Sequence, residues 1–355
     1  MTDEERNMKQ AILLGWINKG KVADCGETVK NQLLIKGLED RGVKCYLCDF
    51  KNWKKHPYVI IEFLMDLIIH REATLILSTS AKNIYGLLKF LKAIGWKQNI
   101  VHWVIGGTLG QKVQDKIYDP SVIGFANHTL VESKYMVKQL TENNVKGVKQ
   151  VPNFKPINYY PVLQTKYPRN NNKLRLVFLS RIMPEKGCDY IIEASNKLNK
   201  KNFGNSYEID FYGRIKDEYE KDFMTQIANI PNVNYKGFLN FNNTNAYDQL
   251  SSYDLMLFPT FWRGEGFAGV FIDAFIAGVP IIATDWAHNK AILEEGKNAL
   301  FIKPRDAIQL ADTIERCIKG DYNLDKMSAY SQKEAEKYNV DNVITEDLLK
   351  EIGIL

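Results

Sequence analysis

No stretch of this 355-residue chain stays apolar for as many as 18 positions, so no predicted helix is long and apolar enough to cross a membrane. The opening residues, MTDEERNMKQ, lack the apolar core of a secretion signal, and a cytoplasmic protein is the expectation. Cysteine is scarce. The five present are an odd number that fits a reducing compartment and gives no disulfide framework. Cys45 and Cys48 form a C-x-x-C, but they fall inside an apparent strand, Val43–Asp49, and no second pair completes a zinc site. They read as core cysteines. A strong charge of one sign is also missing: 47 Lys and Arg face 42 Asp and Glu, for a net charge of +5. With so mild a charge and no recognition motif, nucleic-acid binding is unsupported. Disorder is excluded by 45% hydrophobic and 12% aromatic residues.

The length suits two domains rather than one core. Charge is divided unevenly between them. Residues 1–155 carry 23 Lys and Arg against 15 Asp and Glu, a balance of +8, whereas residues 156–355 carry 24 against 27, a balance of −3. A basic first half suits an anionic partner or a membrane surface, although abundant solvated lysine gives the same count.

Both halves read as repeated strand–glycine–helix units. In the first, the strand QAILLGW (10–16) runs into a polar loop holding Gly20 and Gly26, then into a helix and the strand at Val43. This is half of a doubly wound fold, and the loop after its first strand lacks the dinucleotide fingerprint, so hydride chemistry has no support. Ala73–Ser78 and Ile100–Ile105 are further strands, the latter ending at Gly106 and Gly107. The helix between them mixes Lys89, Lys92 and Lys97 with Phe90 and Trp96, which suits either a membrane surface or an ordinary solvated helix edge. His102 reads as a structural residue within its strand. Prolines and asparagines over 156–172 read as an interdomain linker, separating an N-terminal domain (1–155) from a second domain (173–338) and a last segment (339–355).

The second domain is organised around PTFWRGEGFAGVFIDAFIAGVPIIAT (259–284), a strand end, glycine-rich turn, short helix, glycine stop and strand. The turn, with Gly266, Phe267, Ala268, Gly269 and Val270, feeds unpaired amides into a helix N-terminus, which binds anions and phosphates above all. Glu265 and Asp273 frame it, eight positions apart. Carboxylates beside a phosphate site are useful when they accept hydrogen bonds from sugar hydroxyls, so turn and acids together point to a nucleotide-sugar site. The plainer reading is a βαβ connection with two solvated acids. Upstream, KLRLVFLS (173–180) ends in Arg181-Ile182-Met183-Pro184-Glu185-Lys186-Gly187. A guanidinium fork and a flexible ammonium five residues apart can clamp a diphosphate. Gly213 ends a further strand, leaving room for a base and ribose.

These segments resemble family 4 of the retaining, GT-B-fold glycosyltransferases. The resemblance runs through FLSRIMPEKGCDYIIEA (178–194), IDFYG (209–213), VNYKGFL (233–239), the 259–285 stretch and EEGKNALFIKP (294–304). It covers roughly 130 residues of the second half, while the first half matches only in layout. It implies two doubly wound, Rossmann-like α/β domains facing across a cleft, with a C-terminal helix around Asp341–Ile352 crossing back to the first. It implies a hexosyltransferase that moves a sugar from a nucleotide-diphosphate donor to a glycan or lipid-linked glycan in surface polysaccharide or glycoconjugate synthesis, at the cytoplasmic face of a membrane. By the same resemblance Arg181 and Lys186 grip the donor diphosphate, Glu265 contacts the transferred sugar and Asp273 holds the ribose. The amides of Ala268, Gly269 and Val270 receive the distal phosphate. No metal or other cofactor is implied, because cationic side chains and the helix dipole take the metal's place. The loops of Gly20, Gly26, Gly106 and Gly107 would line the acceptor side.

The sequence departs from the family pattern in four places. The second acid is Asp rather than Glu, Ala268 replaces a usual glycine, Ala299 stands where the family often has glycine, and a histidine frequent in the first half has no match, with Ser78, Thr79 and Ser80 at that strand end. No catalytic base is therefore named. A nucleotide-sugar 2-epimerase of the same fold, or a non-catalytic nucleotide-sugar-binding protein, would carry similar features.

Overall fold

A computed structural model describes residues 9–23, 25–51, 53–167, 173–241 and 244–355. The chain divides into two compact units, one running to Pro156 and joined again by Tyr338–Leu355, the other spanning Ile157–Lys337.

The N-terminal unit is built on a parallel sheet of six strands: β1 (Gln10–Gly15), β2 (Lys44–Asp49), β3 (Thr74–Thr79), β4 (Ile100–Val104), β5 (His128–Val131) and β6 (Val148–Gln150). Their spatial order is β2-β1-β3-β4-β5-β6, so the winding reverses between β1 and β3. Helices cover both faces, as a parallel sheet requires. Side chains alternate along β1: Ala11 and Leu13 join one cluster with Leu34 and Leu38 of α1 (Gly26–Glu39). Ile12 and Leu14 join another, with Phe63 and Leu67 of α2 (Tyr58–Ile69) and Ile84, Leu88 and Leu91 of α3 (Ala81–Ala93). The remaining helices of this part are α4 (Leu109–Gln114), α5 (Pro120–Ile123) and α6 (Lys134–Glu142).

The second unit holds β7 (Leu174–Leu179), β8 (Tyr207–Tyr212), β9 (Val233–Tyr235), β10 (Leu255–Phe258), β11 (Ile281–Thr284) and β12 (Ala299–Ile302). Their order, β12-β11-β10-β7-β8-β9, reverses between β7 and β10. Open α/β sheets bind ligands in the crevice beyond the carboxyl ends of the strands at such a reversal. Around the sheet lie α7 (Cys188–Lys200), α8 (Glu220–Ile227), α9 (Asn245–Ser251), α10 (Gly269–Ile276), α11 (Asn289–Ile292), α12 (Ala307–Ile318) and α13 (Leu324–Ala335).

Three sequence-based expectations change. Of the stretch read as a linker, 168–172 lie outside the described residues and 157–167 belong to the second unit: Ile157 is buried, and the buried Lys166 amine donates to the carbonyls of Ser251 and Tyr253, each at 2.7 Å. The single C-terminal helix is two, α14 (Val340–Val343) and α15 (Glu346–Glu351). They are broken where Thr345 turns out of the helix to cap α15, its hydroxyl accepting from the Leu348 amide at 3.2 Å. This end packs on the N-terminal unit, where Thr74 and Asn99 donate to the carbonyls of Gly353 and Ile352 at 2.6 and 2.8 Å. Trp96, grouped with exposed lysines by sequence, is instead half-buried and bonds Gln98. Cys45 and Cys48 do lie on β2, where burial pushes both thiols up to about 12. Absent from the expectations altogether is α2.

Candidate active site

Two loops meet beyond the reversal of the second sheet, one after β7 and one after β10. The first is held by its backbone. Ile182 donates to the Arg214 carbonyl and accepts from the Lys216 amide, both at 2.9 Å. A short 3-10 turn over Pro184–Lys186 follows, and Gly187 then takes a φ of +84°. A Cβ there would stand 2.2 Å from the Pro259 carbonyl oxygen, so only glycine lets the β10 end pass this closely. The Phe261 amide completes the junction by donating to the Glu185 carbonyl at 2.9 Å.

That close approach brings Lys186 to Glu265. The Lys186 ammonium donates to Glu265 Oε2 at 2.6 Å, and each residue is 7% exposed. The Thr260 hydroxyl donates to the same oxygen at 3.0 Å, and Thr260 is itself fixed by Thr284 Oγ1, which donates to its carbonyl at 2.5 Å. Among the described residues Glu265 Oε1 has no hydrogen-bond partner, so one oxygen anchors the carboxylate and the other can accept from a ligand hydroxyl. Lys186 Nζ also stands 5.6 Å from the centroid of the Phe258 ring.

Three residues after Glu265 comes Ala268, the N-cap of α10, in an extended conformation and without a side-chain cap. The first-turn amides therefore have no side chain to satisfy them, the condition under which a helix start receives an anion. Gly266 and Phe267 bridge carboxylate and helix, with Phe267 buried and its ring 6.4 Å from that of Phe271. Gly269 and Val270 open the helix. Asp273 lies on its buried side, 3% exposed, and accepts from the Tyr247 hydroxyl at 3.1 Å. Burial, then the Asp273 charge, pushes the Tyr247 phenol well above its ordinary range.

Arg181 is exposed, and its side chain makes no hydrogen bond or ion pair among the described residues. It follows β7 directly, on the same loop as Lys186. Gly213 sits beside its base: φ there is +138°, and a Cβ would fall 1.8 Å from the Ser180 carbonyl oxygen.

The acceptor-side glycines belong to the N-terminal unit and do not converge. Gly20 lines a pocket of about 490 Å³ with Lys19, Lys21, Gln32 and Lys36. Gly106 lines another of about 150 Å³ with Ser80, Lys82, Thr108 and Lys112. Gly26 opens α1, and Gly107 lines neither pocket. His102 is fully buried, and burial pushes its imidazole down to about 4.

Sequence reasoning missed Thr260 and Tyr247, the partners that orient the two acids. It also passed over Glu27, at the reversal of the N-terminal sheet. Thr79 Oγ1 donates to Glu27 Oε1 at 2.6 Å and accepts from Asn83 at 2.8 Å, while burial raises the Glu27 carboxyl above its ordinary value. Only its place just after a glycine loop and at a helix start marked it in sequence.

Residues 161–335 match the family described as Glycosyl transferases group 1. Two curated relatives fall in the same class. A poly(ribitol-phosphate) α-N-acetylglucosaminyltransferase of Staphylococcus aureus (strain COL) is 25% identical over 169 residues, 47% of this chain and 33% of that protein. A 2-deoxystreptamine N-acetyl-D-glucosaminyltransferase of Niallia circulans is 28% identical over 163 residues, 46% of this chain and 40% of that protein. The matches thus span well under half the length of these relatives. Among solved structures, Anabaena HepE in complex with UDP superposes with a TM-score of 0.67 at 14% identity, over 98% of this chain and 100% of that one. The fold is that of GT-B glycosyltransferases, with a doubly wound α/β sheet in each unit.

Proposed function

We propose that this protein is a retaining glycosyltransferase that moves a sugar from a nucleotide-diphosphate donor to a hydroxyl of a glycan or lipid-linked glycan. The observation that carries the reading is the buried Lys186–Glu265 pair, 2.6 Å apart at the sheet reversal and immediately ahead of an uncapped helix N-terminus. An ammonium and a first-turn helix suit a diphosphate, and a half-used carboxylate suits a sugar hydroxyl.

In this mechanism the bond from the sugar's anomeric carbon to the β-phosphate oxygen breaks on the face where the acceptor oxygen bonds. The electron pair leaves with the diphosphate, one of whose oxygens takes up the acceptor proton. Arg181 and Lys186 stabilise the negative charge as it grows on that leaving group, a contact strongest at the transition state. The amides of Ala268, Gly269 and Val270 hold the distal phosphate, so no metal is required. Glu265 positions the transferred sugar, and Asp273, oriented by Tyr247, serves the ribose.

HepE was solved with UDP, which makes UDP-sugars the first donors to test. The named substrates of the two curated relatives, a poly(ribitol-phosphate) and an aminocyclitol, support a hydroxylated acceptor. A lipid-linked acceptor would set the reaction at the cytoplasmic face of a membrane, in surface polysaccharide or glycoconjugate synthesis.

Ligand-observed NMR against a panel of nucleotide sugars, without metal and repeated overnight without acceptor, tests the reading. Binding of one donor with only slow hydrolysis supports transfer. Rapid conversion to an epimer would assign the protein to the 2-epimerases, and failure of every donor to bind would remove the site assignment.

A further inference from the structure

The N-terminal sheet has its own reversal, between β1 and β3, and open α/β sheets bind ligands beyond the strand ends at such a point. A pocket of about 320 Å³ opens there, lined by Trp16, Phe50, Trp53, Lys54, Lys55 and Asn83. Trp16 directly follows β1, Phe50 directly follows β2, and Asn83 lies in the first turn of α3, the helix after β3. The volume falls at the small end of ligand sites, which run from ~300 to ~1,000 Å³. It suits one sugar ring with its substituents.

The walls are held in place by the backbone around them. Asp49, the last residue of β2, accepts from the Ile17 and Lys19 amides at 3.0 and 2.9 Å and from the Lys51 amide at 3.1 Å. One carboxylate thus ties the loop after β1 to the loop after β2. The Phe50 amide donates to the Gly15 carbonyl at 3.3 Å, and the Trp16 and Phe50 rings meet edge to face with 6.4 Å between centroids. The Trp53 amide donates to the Phe50 carbonyl at 3.1 Å, so a second indole joins the same wall.

The polar groups of the pocket are unspent. Thr79 Oγ1 gives its proton to Glu27 Oε1 and therefore accepts from Asn83 Nδ2. That order fixes the Asn83 amide. Its nitrogen faces Thr79, and Oδ1, with no hydrogen-bond partner among the described residues, is left to accept from a ligand hydroxyl. The indole nitrogens of Trp16 and Trp53 and the amines of Lys54 and Lys55 likewise make no hydrogen bond or ion pair among the described residues.

Flat aromatic faces beside a few aimed polar groups select a sugar ring. Its C–H bonds, slightly positive, rest on the negative face of an indole while its hydroxyls take the polar groups at the rim. Two unpaired lysines, with no acid among the described lining residues to offset them, favour a sugar that bears negative charge. We propose that this pocket is the acceptor subsite and that it takes an anionic saccharide, a sugar ring bearing a phosphate or a carboxylate. Trp16 and Trp53 supply the platform, Asn83 Oδ1 receives a ring hydroxyl, and Lys54 and Lys55 meet the anion. The word acceptor rests on the proposed sugar transfer, whereas the binding site stands on the N-terminal unit alone. A bare inorganic anion fits less well, because it would leave the aromatic walls uncovered.

The test is saturation-transfer NMR of the full chain with glucose 6-phosphate and glucuronic acid, against glucose, with inorganic phosphate as a competitor and UDP in excess throughout. UDP fills the donor site, so its failure to bind would count against the proposed function and not against this pocket. One or both acidic sugars should bind, which tells a phosphate from a carboxylate, and glucose should bind roughly tenfold more weakly. Trp53→Ala should weaken the acidic sugars by about tenfold, and Lys54→Gln/Lys55→Gln should bring them to the level of glucose. All three side chains are exposed, so circular dichroism should show both variants folded, with UDP affinity unchanged. The proposal is overturned if neither acidic sugar binds, if glucose binds as tightly, or if either variant keeps wild-type affinity. Inorganic phosphate that competes as well as the acidic sugars would reduce the pocket to an anion site and overturn it. A second UDP bound per chain, lost in Trp53→Ala, would overturn it in favour of a nucleotide.

Discussion

Lys186 Nζ lies 2.6 Å from Glu265 Oε2, and the two residues are equally withdrawn from solvent, each 7% exposed. Two buried charges give each other what water no longer supplies, so removing one leaves the other unpaired at a cost of about 3–5 kcal/mol. Lys186→Met and Glu265→Leu should each lower stability by about that amount, while the double variant should lose far less than the sum. Urea unfolding of all four forms of the cycle measures this. Additive losses would mean that the pair is not a unit. The double variant should still fail to bind donor, which separates a site pair from a merely structural one.

Arg181 presents the opposite case. It is exposed, and its side chain has no partner among the described residues, so Arg181→Ala should leave stability within about 0.5 kcal/mol. If the guanidinium meets charge that develops on a leaving diphosphate, kcat/KM should nevertheless fall by about 2–4 kcal/mol, roughly 30- to 1,000-fold. The loss should lie in kcat as well as in donor binding. A variant that turns over at the wild-type rate under saturating donor would withdraw Arg181 from the reaction.

These two residues also mark the limit of what could be read in advance. Strands such as KLRLVFLS were legible because a parallel strand is buried on both faces and so reads as an apolar run. The turn carrying Glu265 was legible because glycine and proline punctuate it, and the Gly278 stop does take a φ of +61°. The pairing of Lys186 with Glu265 was not, since it spans 79 positions and depends on strand order, which local pattern does not encode. Tyr247 lies 26 positions from Asp273 for the same reason. Helix α2 escaped notice because a helix apolar on both sides shows no helical period. Lys166 was lost within a proline-rich stretch, since only the folded chain reveals carbonyls waiting for its amine.

Gly213 connects backbone geometry to the site. Its φ of +138° is closed to other residues, and a Cβ would stand 1.8 Å from the Ser180 carbonyl, the peptide that leads into Arg181. Gly213→Ala should therefore cost about 3 kcal/mol or more and displace the loop after β7. Gly26 is the control: a Cβ there meets nothing within 4 Å, so Gly26→Ala should change stability by less than about 1 kcal/mol. Thermal unfolding of both variants compares them directly. Equal effects would mean that the close approach at Gly213 is not a constraint.

His102 predicts how stability responds to acid. It is fully buried on β4, its Nε2 lies 3.3 Å from the Thr79 carbonyl, and Nδ1 has no partner among the described residues. Burial lowers its pKa from 6.5 to about 4, because the folded interior opposes the charged ring. The unfolded chain therefore binds the extra proton first as pH falls. The contribution of the neutral ring is complete above pH 6.5 and is lost progressively down to about pH 4, a span equivalent to about 3 kcal/mol. His102→Leu removes this titration while keeping an apolar side chain of moderate size. Its stability should consequently fall less steeply than that of wild type between pH 6.5 and 4, whatever its stability at neutral pH. Denaturant unfolding of both proteins across that window gives the two slopes. Parallel slopes would show that His102 takes up no proton on unfolding, and that acid acts on the fold through its carboxylates instead.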